Sequence, residues 1–299
     1  MTTRRRVQLQ PEFIAPRIKI PWDDDFQFWI ASGREEHSFP LHGHSFSELV
    51  VVHSGRAVHV TDFGEYLLHA GDVFVISGDT VHGYRGAVDC RLTNVKFNPA
   101  HFFDFGADVN RLSGFHALFV LEPRYRRQHK FRARLHLGAQ EMAYVEELLH
   151  LLDREVHERP DGHRSMIRAL FSQLVIYLSR NYQRVVSGEQ RSLLAIGDAL
   201  SYLEKHYHEH ITLEQLARLS HLSMRQFIRV FKEATAHTPI VYLIRLRVMR
   251  ATQLLRDPQR SITDVAFAVG FDDSNYFATQ FRRIIGSSPR DYRRHNVRV

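Results

Sequence analysis

The chain has 299 residues, 44% hydrophobic and 24% charged, with a net charge of +7. That is the composition of a globular protein long enough for two cores, and it excludes collagen-like, low-complexity and disulfide-framed chains. A single cysteine, Cys90, cannot form an internal disulfide. No run approaches the ~20 apolar residues of a membrane helix, and MTTRRRVQLQPEF lacks the apolar segment of a secretory signal. The expectation is a cytoplasmic protein without membrane contact. The basic charge is unevenly placed. From Leu193 onward there are 16 Lys and Arg against 10 Asp and Glu; before it there are 24 against 23. Phosphate binding requires such a basic region, and a solvated basic face would read the same way.

In chain order, residues 1–25 read as an irregular arm. Strand-like segments follow at Phe26–Ala31, Ser45–His53, Ala57–Asp62, Tyr66–His69, Val73–Ser77 and Arg91–Phe97, with Gly33, Gly55, Gly64, Gly71, Gly78 and Gly83 between them as turns. Short strands at near-regular spacing predict a small β-barrel or sandwich. From Ala100 to Leu137, aromatics mix with arginines without a clean period. Gln140–His157 and Arg164–Tyr182 carry 3.6-residue apolar stripes and read as two helices joined at Pro160-Asp161-Gly162. They either pack on the barrel or form a dimer interface, and a homodimer is the expected assembly. Polar residues 183–192 read as a linker. The remainder, 193–299, reads as all helix: Leu194–His206, Leu213–Leu219, Met224–Ala234, Val241–Arg256 opened by Pro239, and Ile262–Val269 followed by a last helix that Gly286 and Pro289 stop.

The stretch from Gly270 to Arg293 holds the sharpest local pattern. Gly270 suits a positive-φ turn, and Asp272, Asp273 or Ser274 can cap the helix after it. Phe277, Phe281 and Ile284 or Ile285 form one apolar stripe, with Tyr276 beside it. Helix, glycine turn, helix is a helix-turn-helix signature. Residues 212–234 repeat it: Thr212 caps with Gln215 as capping-box partner, Ala217 stands where Ala266 stands, His221 where Gly270 stands, and Ser223 caps a helix whose buried stripe is Phe227, Val230 and Phe231. The two units are about 212–234 and 262–285. The helix Val241–Arg256 between them spans roughly 24 Å at ~1.5 Å per residue. That is the right scale for reaching two successive major-groove faces about 34 Å apart.

The run LEQLARLSHLSMRQFIRVFKEATAHTPIVYLIRLRVMRATQLL and the motif GF-x4-YF-x3-FRR-x2-G-x-SP-x2-YR resemble the DNA-binding domain of the AraC/XylS family of bacterial transcription regulators. One departure is Ala236-His237, where the family usually has a glycine after the threonine, which loosens the first recognition helix's C-cap. The implied partner is double-stranded DNA. On the exposed faces, Arg225 and Arg229 can bind guanine bidentately, Asn275 can pair with adenine and Asp273 can accept from cytosine. Gln226 and Thr279 are further candidates, as is Ser274 beside them, while Lys232, Arg282 and Arg283 suit phosphates. Asp264 is a candidate contact for RNA polymerase.

In the front half, PLHGHSFSELVVVHSG places His42, His44 and Glu48 at even positions, which share a face if the strand is continuous. GDVFVISGDTVHGY adds His82. Two histidines, a glutamate and a third histidine are plausible ligands for a divalent metal. The spacing resembles the two motifs of the cupin barrel, with Ser77 and Asp79 in place of the usual proline and glycine and no glycine five residues before His42. Regulators of the AraC type usually carry such a sensor, so His42, His44, Glu48 and His82 are effector-site candidates as well. RLTNVKF, with Asn94, and DDSNYF are similar to rhamnose-type regulators of the family, which implies a sugar effector, with Phe46, Trp29 or Tyr84 stacking on its ring. The expected fold is α+β in two domains: a cupin-like barrel with two helices over 26–182, then an all-α double helix-turn-helix. The expected function is an effector-responsive regulator, more often an activator, with no required cofactor and a divalent metal as an option. The alternatives are a metal-dependent cupin enzyme and a metal-sensing regulator.

Overall fold

A computed structural model describes residues 20, 22, 25–35, 39–61, 63–78, 80–102, 108–126, 134–184 and 188–296. Nearly all of the expected arm at 1–25 lies outside them, as do Asp79 and residues 185–187 of the expected linker. The chain divides into two compact units, Met1–Gly197 and Asp198–Val299.

Seven strands build the first unit: β1 (Phe28–Glu35), β2 (Phe39–His42), β3 (Ser47–Thr61), β4 (Gly64–His69), β5 (Asp72–Ile76), β6 (His82–Phe97) and β7 (Leu135–His136). Their order is β1-β6-β3-β5-β7, with β2 on β6 and β4 on β3. Two long strands are shared between two half-sheets. β3 gives its first half to β5 and its second to β4. β6 gives its first residues to β2 and its last to β1. Register shifts between Val52 and Val58 separate the halves. Bulges bend and twist a strand, so strands can pass from one layer to the other there. Val50, Val52, Phe74, Ile76 and Leu92 of one half and Ala57, Leu68 and Tyr84 of the other form one buried cluster. Gly55 and Gly83, expected as turns, therefore lie inside β3 and β6; Gly55 marks a bend, not a strand end.

The stretch without a clean period holds α1 (Pro99–Phe102), a 3₁₀ turn at Val109–Arg111, α2 (Ser113–Phe115), a π-helical turn at His116–Leu121 and α3 (Glu122–Arg126). Ser113 to Phe119 are buried without a break. An element buried all round shows no amphipathic stripe. α4 (Ala139–Glu158) and α5 (His163–Tyr182) bury the expected stripes, Val145, Leu148, Leu149 and Leu152 on one and Ile167, Leu170, Phe171, Leu174 and Leu178 on the other. Phe171 sets α5 on the sheet, with ring centroids 5.2 Å from Phe28 and 4.9 Å from Phe97. α6 (Gly188–His206) starts earlier than the polar composition suggested, inside the expected linker. The reason is Gln190: it is buried, and its side-chain amide donates to the Arg134 carbonyl at 2.8 Å. The division between the units falls within α6, after Gly197.

The second unit holds α7 (Leu213–Leu219), α8 (Met224–Thr235), α9 (Pro239–Leu254), α10 (Ile262–Ala268), α11 (Ser274–Ile285) and α12 (Pro289–Asn296). Thr212 and Gln215 form the expected capping box on α7, and Ser261 with Asp264 forms another on α10. α12 was outside the expectation. Pro289, read as a stop, opens it, because a proline at the first helical position gives up only an N–H that has no helical partner. Ser288 accepts the Asp291 N–H at 3.1 Å.

The two helix-turn-helix units repeat at the level of single hydrogen bonds. Leu222 N–H donates to Ala217 O at 3.1 Å, and Phe271 N–H to Ala266 O at 3.0 Å. Each unit has two left-handed residues. They are His221 (φ 52°) and Ala236 (φ 65°) in the first, Gly270 (φ 91°) and Gly286 (φ 88°) in the second. A side chain in that region costs ~1–2 kcal/mol. Ala236→Gly is therefore expected to stabilise the protein by about 1 kcal/mol after glycine's unfolded-state entropy is counted. Gly270→Ala should destabilise by ~1–3 kcal/mol, since its Cβ would lie 2.8 Å from the His208 carbonyl oxygen. Denaturant melts read both; a destabilised Ala236→Gly would contradict the strain argument.

Candidate functional site

The candidate DNA surface comes from α8 and α11. Ser223 caps α8 by accepting the Gln226 N–H, and Phe227, Val230 and Phe231 are its buried stripe. The 3.6-residue period then leaves Arg225, Gln226, Arg229 and Lys232 exposed on the opposite side. Arg229 forms an ion pair with Glu233, one helical turn on, with both carboxylate oxygens 3.1 Å from one guanidinium nitrogen. In α11 Phe277 and Phe281 are fully buried, while Asn275, Thr279, Arg282 and Arg283 are exposed. Ser274, the first helical residue, is half-buried. Asp273 is the cap: its Oδ1 accepts the N–H groups of Asn275 at 2.6 Å and Tyr276 at 2.8 Å. That oxygen is committed to the helix, which leaves Oδ2 for the expected contact to a cytosine. The Thr279 hydroxyl donates to the Asn275 carbonyl at 3.0 Å. Tyr276, expected beside the apolar stripe, is 48% exposed on the surface. Asp264 is also exposed, and its carboxylate closes the capping box on Ser261, which holds its pKa below the ordinary carboxylate value.

The front-half candidates do not lie on one continuous strand. His42 ends β2, His44 lies in the irregular link, and Glu48 is the second residue of β3. They converge through the bend of the link, and His82 at the start of β6 joins them, paired in register with His42. All four are buried, between 0% and 4% exposed. The Nδ1–H of His42 donates to the Pro40 carbonyl at 3.1 Å and that of His44 to the Phe46 carbonyl at 2.8 Å. A carbonyl only accepts, so in both neutral rings the lone pair is on Nε2. The Nε2 atoms of His44 and His82 are 3.0 Å apart. Glu48 Oε2 lies 3.8 Å and 3.6 Å from these two nitrogens. Burial pushes the His82 pKa well below its ordinary value, with His59, His42, His44 and Lys96 adding to the effect; burial also lowers His42. Burial thus favours the neutral form of His82 and His42, which is the form a metal ligand needs.

Two members of this cluster escaped the sequence reading. His59 of β3 is buried with its ring 5.5 Å from that of His82. Lys96 Nζ lies 3.6 Å from Glu48 Oε1. A period-two count from Asn94 would have found Lys96, because the two alternate onto the same face of β6. Asn94 is half-buried, opposite Val50, and its Oδ1 accepts no hydrogen bond among the described residues. The expected sugar platforms are otherwise engaged. Phe46 stacks on His44 at 4.1 Å, Tyr84 packs against His59, and Trp29 lies against His157 of α4.

Residues 27–195 match the model of an AraC-like ligand binding domain, and 216–295 match that of a helix-turn-helix domain. The chain is 32% identical over 257 residues to the HTH-type transcriptional activator RhaS of Enterobacter sp. (strain 638), covering 86% of this chain and 88% of that protein. It is 32% identical over 256 residues to RhaS of Escherichia fergusonii, again covering 86% and 88%. An AraC-type transcriptional regulator of solved structure from Chromobacterium violaceum aligns with 35% of this chain and 93% of its own, at 29% identity and a TM-score of 0.33. No helix among the described residues is long and apolar enough to cross a membrane. With a rolled sheet carrying a buried histidine cluster and two capped helix-turn-helix units after it, the chain belongs to the AraC family of DNA-binding transcription regulators.

Proposed function

We infer that this regulator is a transcription activator that reads two adjacent major-groove sites and answers to a small effector, with a sugar as the effector class. The DNA reading rests on one observation above all: the same capped unit occurs twice, on either side of α9, each time with polar and basic residues on the face its phenylalanines leave free. Arg225, Arg229 and Asn275 read bases; Lys232, Arg282 and Arg283 hold phosphates. Likeness to the RhaS activators supports activation. The RLTNVKF and DDSNYF segments support a sugar. The regulator works in the cytoplasm as a homodimer through α4 and α5, contacts RNA polymerase through Asp264, and is not an enzyme. Arg229→Ala should relax specificity at one base pair by ~1–3 kcal/mol. Binding titrations against single-base operator variants measure this; uniform loss across all variants would make Arg229 a phosphate contact instead.

A second reading, of the barrel, is favoured by the convergence of three imidazoles. Ligand nitrogens of His42, His44 and His82 lie within 4.8 Å of one another. Two histidine nitrogens on a tetrahedral zinc, each at ~2.0–2.1 Å, stand about 3.3 Å apart; the His44–His82 pair needs only a small opening from 3.0 Å. The three histidines would hold a divalent cation with Glu48 as fourth ligand, and Lys96 would hold the other Glu48 oxygen. A cation there would brace β2, β3 and β6. Zinc or nickel is then expected to raise the melting temperature of the full chain, and the rise should vanish in His44→Ala. An equal rise in that variant would place the metal elsewhere.

A further inference from the structure

α6 ends at His206, and a short link, residues 207–211, leads from it to Thr212, the cap of α7. Although this link opens the first helix-turn-helix, it lies against the second. Tyr207 packs on the cluster that holds Phe277 and Phe281. The His208 carbonyl comes so near the second turn that a Cβ at Gly270 would lie 2.8 Å from it. A helix end leaves its last carbonyls without helical partners, and a link adds more of them. Here α9 supplies the donors. The Arg247 guanidinium donates through Nε to the Tyr207 carbonyl at 2.6 Å and through Nη2 to the Glu209 carbonyl at 2.7 Å. Its central carbon is 5.8 Å from the ring centroid of Phe271, in the turn of the second helix-turn-helix. Nearly one helical turn on, Arg250 holds Glu204 of α6 in an ion pair at 2.6 Å, and both side chains are largely buried.

We propose that Arg247 is a positioning residue that couples the two helix-turn-helix units: it clamps the link leading into the first against the turn leading into the recognition helix of the second. The inference rests on the reading of two adjacent DNA sites and names the side chain that keeps the two readers in step. α9 by itself leaves each helix-turn-helix some freedom to tilt on it, and a second point of attachment removes that freedom. The guanidinium suits this task because its donors form a rigid planar fork, so it can bridge two carbonyls and lie over a ring at once; a lysine ammonium is a point charge and cannot. Hydrogen bonds from a charged donor are about twice as strong as those between neutral groups. Arg247 is half-buried, and Asp272 of the same turn favours its charged form. With Nε and Nη2 committed to the link, it differs from Arg225, Arg282 and Arg283, which stand exposed on the recognition helices.

The test uses the full chain and a two-site duplex that the wild-type protein selects from randomised DNA, with two derivatives in which one site or the other is scrambled. Affinities of Arg247→Ala and Arg247→Lys for the three duplexes are measured at a temperature where circular dichroism shows the variants folded. Arg247→Ala is expected to bind each single site as the wild type does and to lose about tenfold on the two-site duplex, because the gain from holding both sites needs a fixed relation between the readers. Arg247→Lys should recover only part of that loss, and it carries the same comparison if Arg247→Ala does not fold. An equal loss on all three duplexes would make Arg247 a residue of general folding and overturn the coupling. Unchanged affinity throughout, or a loss traced to one single site, would overturn it as well. A wild-type protein that selects no two-site sequence would overturn the DNA reading itself, an outcome seen before any variant is made.

Discussion

The burial of Phe277 and Phe281 against α9 is the contact on which the second reading head depends. Both rings are fully buried in a cluster with Val248 and Ala251 of α9, Val265 and Ala266 of α10, and the residues that cap those two helices, Leu255 and Val269. Losing one such phenylalanine typically costs 3–5 kcal/mol, so α11 has little freedom to turn on its axis. With the ring side fixed, the 3.6-residue period decides which residues face outward. The outward face of α11 is thus a by-product of packing: Asn275 and Thr279 are exposed because Phe277 and Phe281 are buried. Ala266 has no side chain beyond Cβ, which lets α10 and α11 approach. α8 repeats the arrangement with Phe227 and Phe231, and Phe231 meets Tyr242 of α9 with ring centroids 5.7 Å apart. α9 carries both heads, which makes their separation a property of one helix.

The first unit obeys a different constraint. Its two long strands serve two half-sheets, and the bulges between Val52 and Val58 are where they change partners. Those irregularities place chemistry as well as shape. Past the bend His59 joins the buried imidazoles of His42, His44 and His82; at the bend His53 is turned toward α4, where it meets Glu146. One strand therefore supplies a histidine to the barrel interior and another to the pocket under α4. The interior cluster is desolvated, with its imidazoles turned toward one another; the pocket under α4 is polar and open.

Much of the second unit was legible in the sequence because its signals are local. Thr212 with Gln215, Ser223, Gly270 and Gly286 each act within a few residues, and the repeat of Ala217 at Ala266 tied the two units together. The loosened cap at Ala236 was legible too, and the chain there accepts a left-handed alanine. The first unit was harder. Gly55 looks like a turn because a glycine inside a bend and a glycine at a strand end leave the same mark. The segment around His116–Leu121 is buried all round and so has no period. Gln190 looked like linker because its hydrogen bond to Arg134 is remote in sequence. The histidine cluster was found by spacing, though for a partly mistaken reason: His42, His44 and Glu48 converge through a bent link and not along one strand. The pocket at His53 was invisible, since nothing in VVHSG announces a bulge or the distant Glu146 it faces.

We propose that α9 holds two reading heads at a fixed separation on one DNA. The direct measurement is affinity for an operator in which the two half-sites are moved apart by about five base pairs, half a helical turn. A fixed spacer predicts that one head then faces the wrong side of the duplex. Affinity should fall toward that of a single half-site and partly recover at about ten base pairs only if α9 can yield. Affinity unchanged by the five-base-pair insertion would contradict the claim and mean that the two heads bind independently.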